Sequence, residues 1–568
     1  MKKIVILLLL IFTFSLLVAN PLAKIYQHDD PLLVTLNNLS RVAGIIPVSS
    51  AGPLTGYEVA QHIEILKTKT LPPYAQQQLK ELDDTVQNTL SDIPFGMRIR
   101  ITPEIYGNTD KHAEEKDWIA RYNNRQSFAY GEVDTILGDN IYGIFSYGIK
   151  RKLIDDEFSK VVSNFPFVNN FGETQLQNSY PQTVFMGISN NTSSVVFGRD
   201  TLGWGQGNTG NLLIGNHVPY HDFLKATTSN KYLQYTFLAI PMDEISQQGQ
   251  VKPSTTGSSD LGLFAAYFHN SLARTFIAHR LEILLPKVRI SLTEGVLFYV
   301  DRVDMRMFNP LMFLHNYQNF GEVNNSMSVE IEVALLKGLS LNVQLFLDQI
   351  QTKGEVGAEG DNIPPNAFAT LLGLNFTSFT KKGVLNAYLE GVYTSPYAYL
   401  RTGDETGNYY THVNEGGDIV YEQIPEDKQF NLDFVHAIAM RGGKGGISFL
   451  GYKFGPDTIA AGSGVSFEDK RGFSLSSDLL FIIQGENGLH IDDKKQKVEF
   501  GLSELNRLSP TGNPTFRFII TATGEYSPSF VKGLSIIGRT DLVNTWHKYE
   551  YSFDAQFNVG IVYSVTLF

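Results

Sequence analysis

The residues best placed to do chemistry lie in one glycine-rich stretch, Phe197-Gly-Arg-Asp-Thr-Leu-Gly-Trp-Gly-Gln-Gly207, followed by Asn208 to Leu212. Arg199, Asp200, Trp204 and Gln206 supply a guanidinium, a carboxylate, an indole and an amide. The glycines between them permit unusual dihedrals and close backbone approach. These groups suit non-covalent binding; read without further context, the stretch is also a turn carrying one interfacial tryptophan. The other reactive patterns lead away from catalysis. His217 and His221 have a metal-like spacing, but Pro219 blocks the helix that would align the rings. No nucleophile elbow or Ser-His-Asp arrangement is evident. The absence of cysteine rules out thiol chemistry and Cys-ligated metals. The expectation is a protein that is not an enzyme, with no cofactor and no metal.

A second group of charges falls on strand-like segments. Met327, Val329, Ile331, Val333 and Leu335 alternate with Ser328, Glu330 and Glu332. After Lys337-Gly338, Leu339 to Leu347 alternate with Ser340, Asn342, Gln344 and then Asp348. A polar face carrying Glu330, Glu332 and Asp348 suits a water-filled barrel lumen. Arg98, Arg100 and Arg125 are expected to line the same lumen opposite these carboxylates. Opposed charge rows define either a pore constriction or a locked plug.

The elements that must position these groups are strands of period two. Phe557, Val559, Ile561, Tyr563, Val565 and Leu567 are large and apolar; the intervening positions are mostly small or polar. That is the dyad of a membrane strand, one face to lipid and one to the lumen. A terminal Phe568 on such a strand resembles the signal read by the barrel-assembly machinery, although it sits on the polar side of the alternation. Lys-Gly turns at 337–338, 382–383 and 532–533 punctuate hairpins. Long polar stretches at 349–366, 398–430, 455–470 and 544–550 fall between them. About 20 candidate strands reduce to an expected 18, a transmembrane antiparallel β-barrel over 96–568. Segment 242–258 counts as periplasmic yet is long.

Upstream, residues 28–92 read as a small α-helical domain on the periplasmic side. Asp30-Pro31 opens a run with Leu33, Leu36, Leu39 and Val42 at helical spacing, stopped by Gly44. Thr55 and Glu58 form a capping-box pattern, and Pro72-Pro73 opens a third helix. Residues 1–19, with Lys2 and Lys3 before an apolar run, are expected to be a signal peptide. Composition agrees with a barrel: 50 Gly, 27 Tyr and 38 Phe at 18% charged residues suit curved strands and aromatic girdles. The net charge of −12, or −14 without Lys2 and Lys3, argues against a nucleic-acid partner.

Trp204-Gly-Gln-Gly207 after Gly198-Arg199 resembles the strand-to-loop motif of the outer-membrane capsule assembly proteins, the Wzi-like family, with Gln206 where that family usually has proline. Asp30-Pro-Leu-Leu33, Gly44-Ile-Ile46, Pro53-Leu-Thr55, Gly383-Val384 and Ala439 to Gly443 fall in a similar order. The resemblance implies an 18-stranded barrel that does not conduct freely, with a helical periplasmic domain. It also implies lectin-like retention or assembly of an exported capsular polysaccharide at the outer membrane. Sugar recognition combines aromatic faces with carboxylates and amides. Tyr397, Tyr399, Tyr409, Tyr410 and Tyr421, interleaved with Asp404, Glu405, Asn408 and Glu415, are the loop candidates, beside Arg199, Asp200, Trp204 and Gln206. An interfacial girdle plus a solvated loop is the plainer account of those tyrosines. The competing function is a diffusion porin for small solutes.

Overall fold

The computed structural model describes residues 20–567, except 91–93, 111–116, 122–124, 152–162, 166–175, 180–182, 243–272, 301–304, 310–311, 313–322, 355, 357–362, 401–408, 414–418, 424–436, 440–446 and 487–501. The expected leader (1–19) and Phe568 lie outside the described residues.

The wall is one closed antiparallel sheet of 18 strands. Its 20 strand segments include two interrupted strands. Phe95–Ile101 and Glu104–Asn108 both pair with the last strand, Glu550–Thr566, while Leu176–Ser179 and Val184–Ser189 both pair with Ile141–Arg151. First and last strands close the ring through Tyr563↔Ile101 and Val559↔Ile105. Every strand interior therefore has two ladder neighbours, which is how a sheet crosses lipid without bare amides.

Side-chain parity follows the dyad. On the last strand Phe557, Val559, Ile561 and Tyr563 are exposed on the outside, whereas Asp554 and Gln556 are buried inside. Met327 and Leu335 likewise point out, and Ser328, Glu330 and Glu332 point in. Strand Val323–Leu336 pairs with Leu339–Gln349 through Glu330↔Gln344 and Glu332↔Asn342, so both inner faces are polar. The turn glycine Gly338 has φ +85, and an added Cβ would stand 2.6 Å from the carbonyl oxygen of Thr377. Only glycine fits there without strain.

Three helices gather at one end: α1 Pro31–Ala43, α2 Gly56–Lys67 and α3 Pro73–Asn88. Asp30 caps α1 by accepting from the Leu32 amide, and Gly44, at φ 71, ends it. Thr55 and Glu58 complete the capping box of α2. Leu36, Leu39, Val59, Ile63, Leu66, Leu82 and Val86 join in one apolar core, which Phe379 and Val384 of the wall extend. Turns 138–140, 190–192, 337–338 and 470–472 touch the helices or the chain leading into them.

That placement corrects the reading of 242–258. Residues 243–272 are outside the described set, but Leu233–Met242 and Ala273–Leu284 flank them. Turn 230–232 sits at the helix end, so the connection after Met242 leaves from the opposite end.

The helical region also does more than sit beside the barrel. Residues 44–54, between α1 and α2, run into the lumen, where Pro47, Val48, Ser49 and Ser50 meet side chains of the wall.

Candidate functional site: a filled lumen and its charge cluster

Three adjacent strands supply the charges. Ala273–Leu284 directs Arg280 and Glu282 inward, Val288–Val300 directs Arg289 and Ser291, and Val323–Leu336 directs Glu330 and Glu332; all six are buried. Register places Glu282 opposite Ser291, Ser291 opposite Glu330, and Arg289 opposite Glu332. Arg280 grips Glu330 with both terminal nitrogens, at 2.7 and 2.9 Å, and its Nη2 also reaches Glu282 at 3.2 Å and Ser291 at 3.0 Å. Arg289 holds Glu332 at 3.2 Å. A buried guanidinium persists only when paired and hydrogen-bonded in this manner.

The cluster is also the socket for the chain that fills the barrel. From the helix end, Ser49 donates to Glu282 at 2.6 Å, and Arg289 donates to the carbonyls of Val48, at 3.0 Å, and Pro47. Lys225 donates to the Pro53 carbonyl at 2.6 Å. From the other end, the connection Thr201–Tyr220 folds inward. Trp204 is 0% exposed; its amide donates to Ile214, and its ring lies 5.4 Å from the Arg280 guanidinium. The two fillers meet where the Gly205 amide donates to the Ser50 hydroxyl at 3.0 Å.

The rest of the filling is held by single wall residues. Gln344 accepts from the Leu212 amide, and Glu390 accepts from the amides of Asn208 and Thr209, each at 2.8 Å. Tyr399 has φ +71, a costly conformation for a bulky residue. Its surroundings hold it there. The amide donates to Asp348 at 2.7 Å, the ring stacks on Phe346 at 4.8 Å, and the hydroxyl donates to the Leu212 carbonyl at 2.8 Å. Along the strands from Phe473 to His547 the inner face is only half-buried, and there Ile482, Ile519 and Val543 close together with Ile119 and Phe454.

The expected site residues are distributed unevenly over this arrangement. Glu330, Glu332 and Asp348 face the lumen, but their partners are Arg280, Arg289 and the Tyr399 backbone. Arg98 pairs with Glu132 at 3.3 Å, and Arg100 stacks on Tyr130 at 4.7 Å, on the neighbouring strand. Arg125 is buried over the rings of Tyr106 and Trp118. None of the three faces Glu330 or Glu332, because the first strands lie across the ring from Val323–Leu336.

Burial removes most of the expected ligand contacts from the surface. Trp204 and Tyr399 are completely enclosed, Tyr397 is buried with its hydroxyl donating to Glu504 at 2.6 Å, and Asp200 is buried accepting from Gln27 at 2.8 Å. The loop reading placed them outside, whereas their connections fold into the barrel. Gln206 is half-buried in the same connection. Arg199 points outward and pairs with Asp222 at 2.7 Å over the ring of Tyr220. Tyr409 and Tyr410 lie on a two-stranded ribbon, Tyr409–Val413 with Ile419–Gln423, separate from the wall. Asp404, Glu405, Asn408 and Glu415 lie outside the described residues. His221 is buried and His217 half-buried, and among the described residues no group of three metal-ligating side chains forms.

Arg280, Glu282, Arg289, Lys225 and Glu390 were not anticipated. The signal was available for the first three, which alternate with apolar residues as Glu330 and Glu332 do.

No family model and no curated protein matches the chain. Among solved structures it is similar to Wzi of Escherichia coli, described as an outer-membrane protein involved in group 1 capsule assembly and a carbohydrate-binding β-barrel. The identity is 12%, the match covers 95% of this chain and 99% of that one, and the TM-score is 0.57. It also matches OprD of Pseudomonas aeruginosa at 8% identity over 84% of this chain and 96% of that one, with a TM-score of 0.38. The fold is Wzi-like.

Proposed function

We propose that this chain is an outer-membrane barrel that holds, or helps assemble, an exported surface polysaccharide without catalysing a reaction on it. The helices face the periplasm in this reading, and the connections at the opposite end face outward. The observation that carries it is the filled lumen. Residues 44–54 enter from one end and 201–220 from the other, and they meet at Gly205 and Ser50. A barrel packed with its own buried chain serves as a platform better than as a passage. The likeness of fold to a carbohydrate-binding barrel supports the same reading. With Trp204 and Tyr399 enclosed, the aromatic candidates for sugar contact are Tyr409 and Tyr410, on the ribbon outside the wall sheet.

The diffusion-porin reading keeps one supporting observation, the half-buried inner face between Phe473 and His547. There Ile482, Ile519 and Val543 form an apolar patch with Ile119 and Phe454, and an apolar lining resists wetting. One pair of measurements separates the two. Platform function predicts no steady conductance in a planar bilayer and retention of the purified protein on immobilised capsular polysaccharide. Steady conductance together with no glycan retention would overturn it.

A further inference from the structure

The turns at the helix end carry a pattern that neither the lumen nor the loops explain. Six successive turns, from 230–232 round the ring to 527–533, each present an exposed cation: Lys231, Lys287, Lys337, Lys382, Arg471 and Lys532. Among the described residues none of the six has a carboxylate within ion-pair distance. In five of these turns a large apolar side chain is exposed within two residues of the cation: Tyr232, Leu285, Leu336, Phe473 and Phe530. The two helix-end turns without a cation, 138–140 and 190–192, are those where Tyr57 and Gln61 of α2 dock on the carbonyls of Asp139 and Asn191.

We propose that this arc binds the phosphates of anionic phospholipids in the leaflet nearest the helices. The apolar residue of each turn is anchored at the edge of the lipid-facing band, and its cation reaches the headgroup beside it. Two features favour lipid over a soluble partner. The cations follow the outer circumference of the wall, where headgroups surround a barrel, instead of gathering in one patch. Five of the six also carry an apolar anchor of their own, which a lipid boundary uses and an aqueous contact does not. A cation near an anionic surface contributes about 1 kcal/mol, or about fivefold in occupancy. Four such sites make the preference readable.

The test uses the full purified chain, equilibrated in micelles with equal amounts of phosphatidylglycerol and phosphatidylethanolamine. Retained lipids are counted by native mass spectrometry. The expected result is a preference of about fivefold or more for phosphatidylglycerol. It should fall to parity in the variant K231Q/K287Q/K382Q/K532Q and persist in the matching Lys→Arg variant. Heat-modifiable gel mobility confirms that each variant is a closed barrel. Equal retention of both lipids by the parent chain would overturn the proposal, as would an unchanged preference in the glutamine variant. Preferential retention of lipopolysaccharide over phosphatidylglycerol would also overturn it, and so would capture of an acidic soluble protein without any lipid preference.

Discussion

Replacing Arg280 with methionine tests whether the charge cluster locks the lumen. Arg280 is 0% exposed, and among the described residues it alone donates to Glu330. Its removal leaves the Glu330 carboxylate buried without a counter-charge, which costs about 3–5 kcal/mol. Glu282 loses one donor but keeps Ser49, Ser291 and the nearby Arg289. The face of Trp204 loses its cation, worth roughly 1 kcal/mol. A total of about 5 kcal/mol is roughly a few thousandfold in the folding equilibrium. Reversible urea unfolding in lipid vesicles, followed by tryptophan fluorescence and gel mobility, should show that loss. The variant R280M/E330M removes both charges and fills their space with apolar atoms, so it should lie within about 1–2 kcal/mol of the parent. A double variant as unstable as the sum of R280M and E330M would refute the pairing, since independent sites add and coupled ones do not.

Three further outcomes are expected. Trp204→Ala empties a fully enclosed site and should cost about 3–5 kcal/mol by the same urea assay, while polysaccharide retention through Tyr409 and Tyr410 stays unchanged. His62 of α2 is half-buried and bonded to Ser40 at 2.7 Å; loss of solvent, with the Arg289 charge adding to it, pushes its pKa down to about 3. The unfolded chain therefore binds the extra proton between about pH 6.5 and 3. Stability is full above that window and falls by about 1.4 kcal/mol for each unit of acidification inside it. His62→Asn should flatten that slope in a pH series of urea midpoints. Gly338→Ala forces a Cβ into a left-handed turn against the Thr377 carbonyl and should cost roughly 1–2 kcal/mol, read as a lower urea midpoint.

The wall was legible because its rule is local. Whether Phe557 or Gln556 meets lipid depends on the neighbour one residue away, so alternation alone exposes it. The helix caps at Asp30, Gly44 and Thr55 were legible for the same reason. The filling was not. Whether Thr201–Tyr220 folds inward or outward depends on Gln344 and Glu390, more than 130 residues downstream, and on Ser50, more than 150 upstream. A tryptophan among glycines reads identically in a surface loop and in a stopper. Glu330 and Glu332 were seen to face inward, but their partners Arg280 and Arg289 follow from register across two hairpins. Parity alone therefore assigned the carboxylates to the wrong arginines.

The joint between Glu550–Thr566 and the interrupted first strand has a consequence for biogenesis. Every other neighbour in the wall is adjacent in sequence, or nearly so, and can zip as the chain arrives. This joint alone ties residues more than 440 positions apart. A product cut before Glu550 would carry two naked edges, one on Phe95–Ile101 and one on Leu534–His547, each a template for pairing with another molecule. Completion of the circle thus acts as a check on full-length synthesis, and shortened chains are expected in aggregates and not in the membrane.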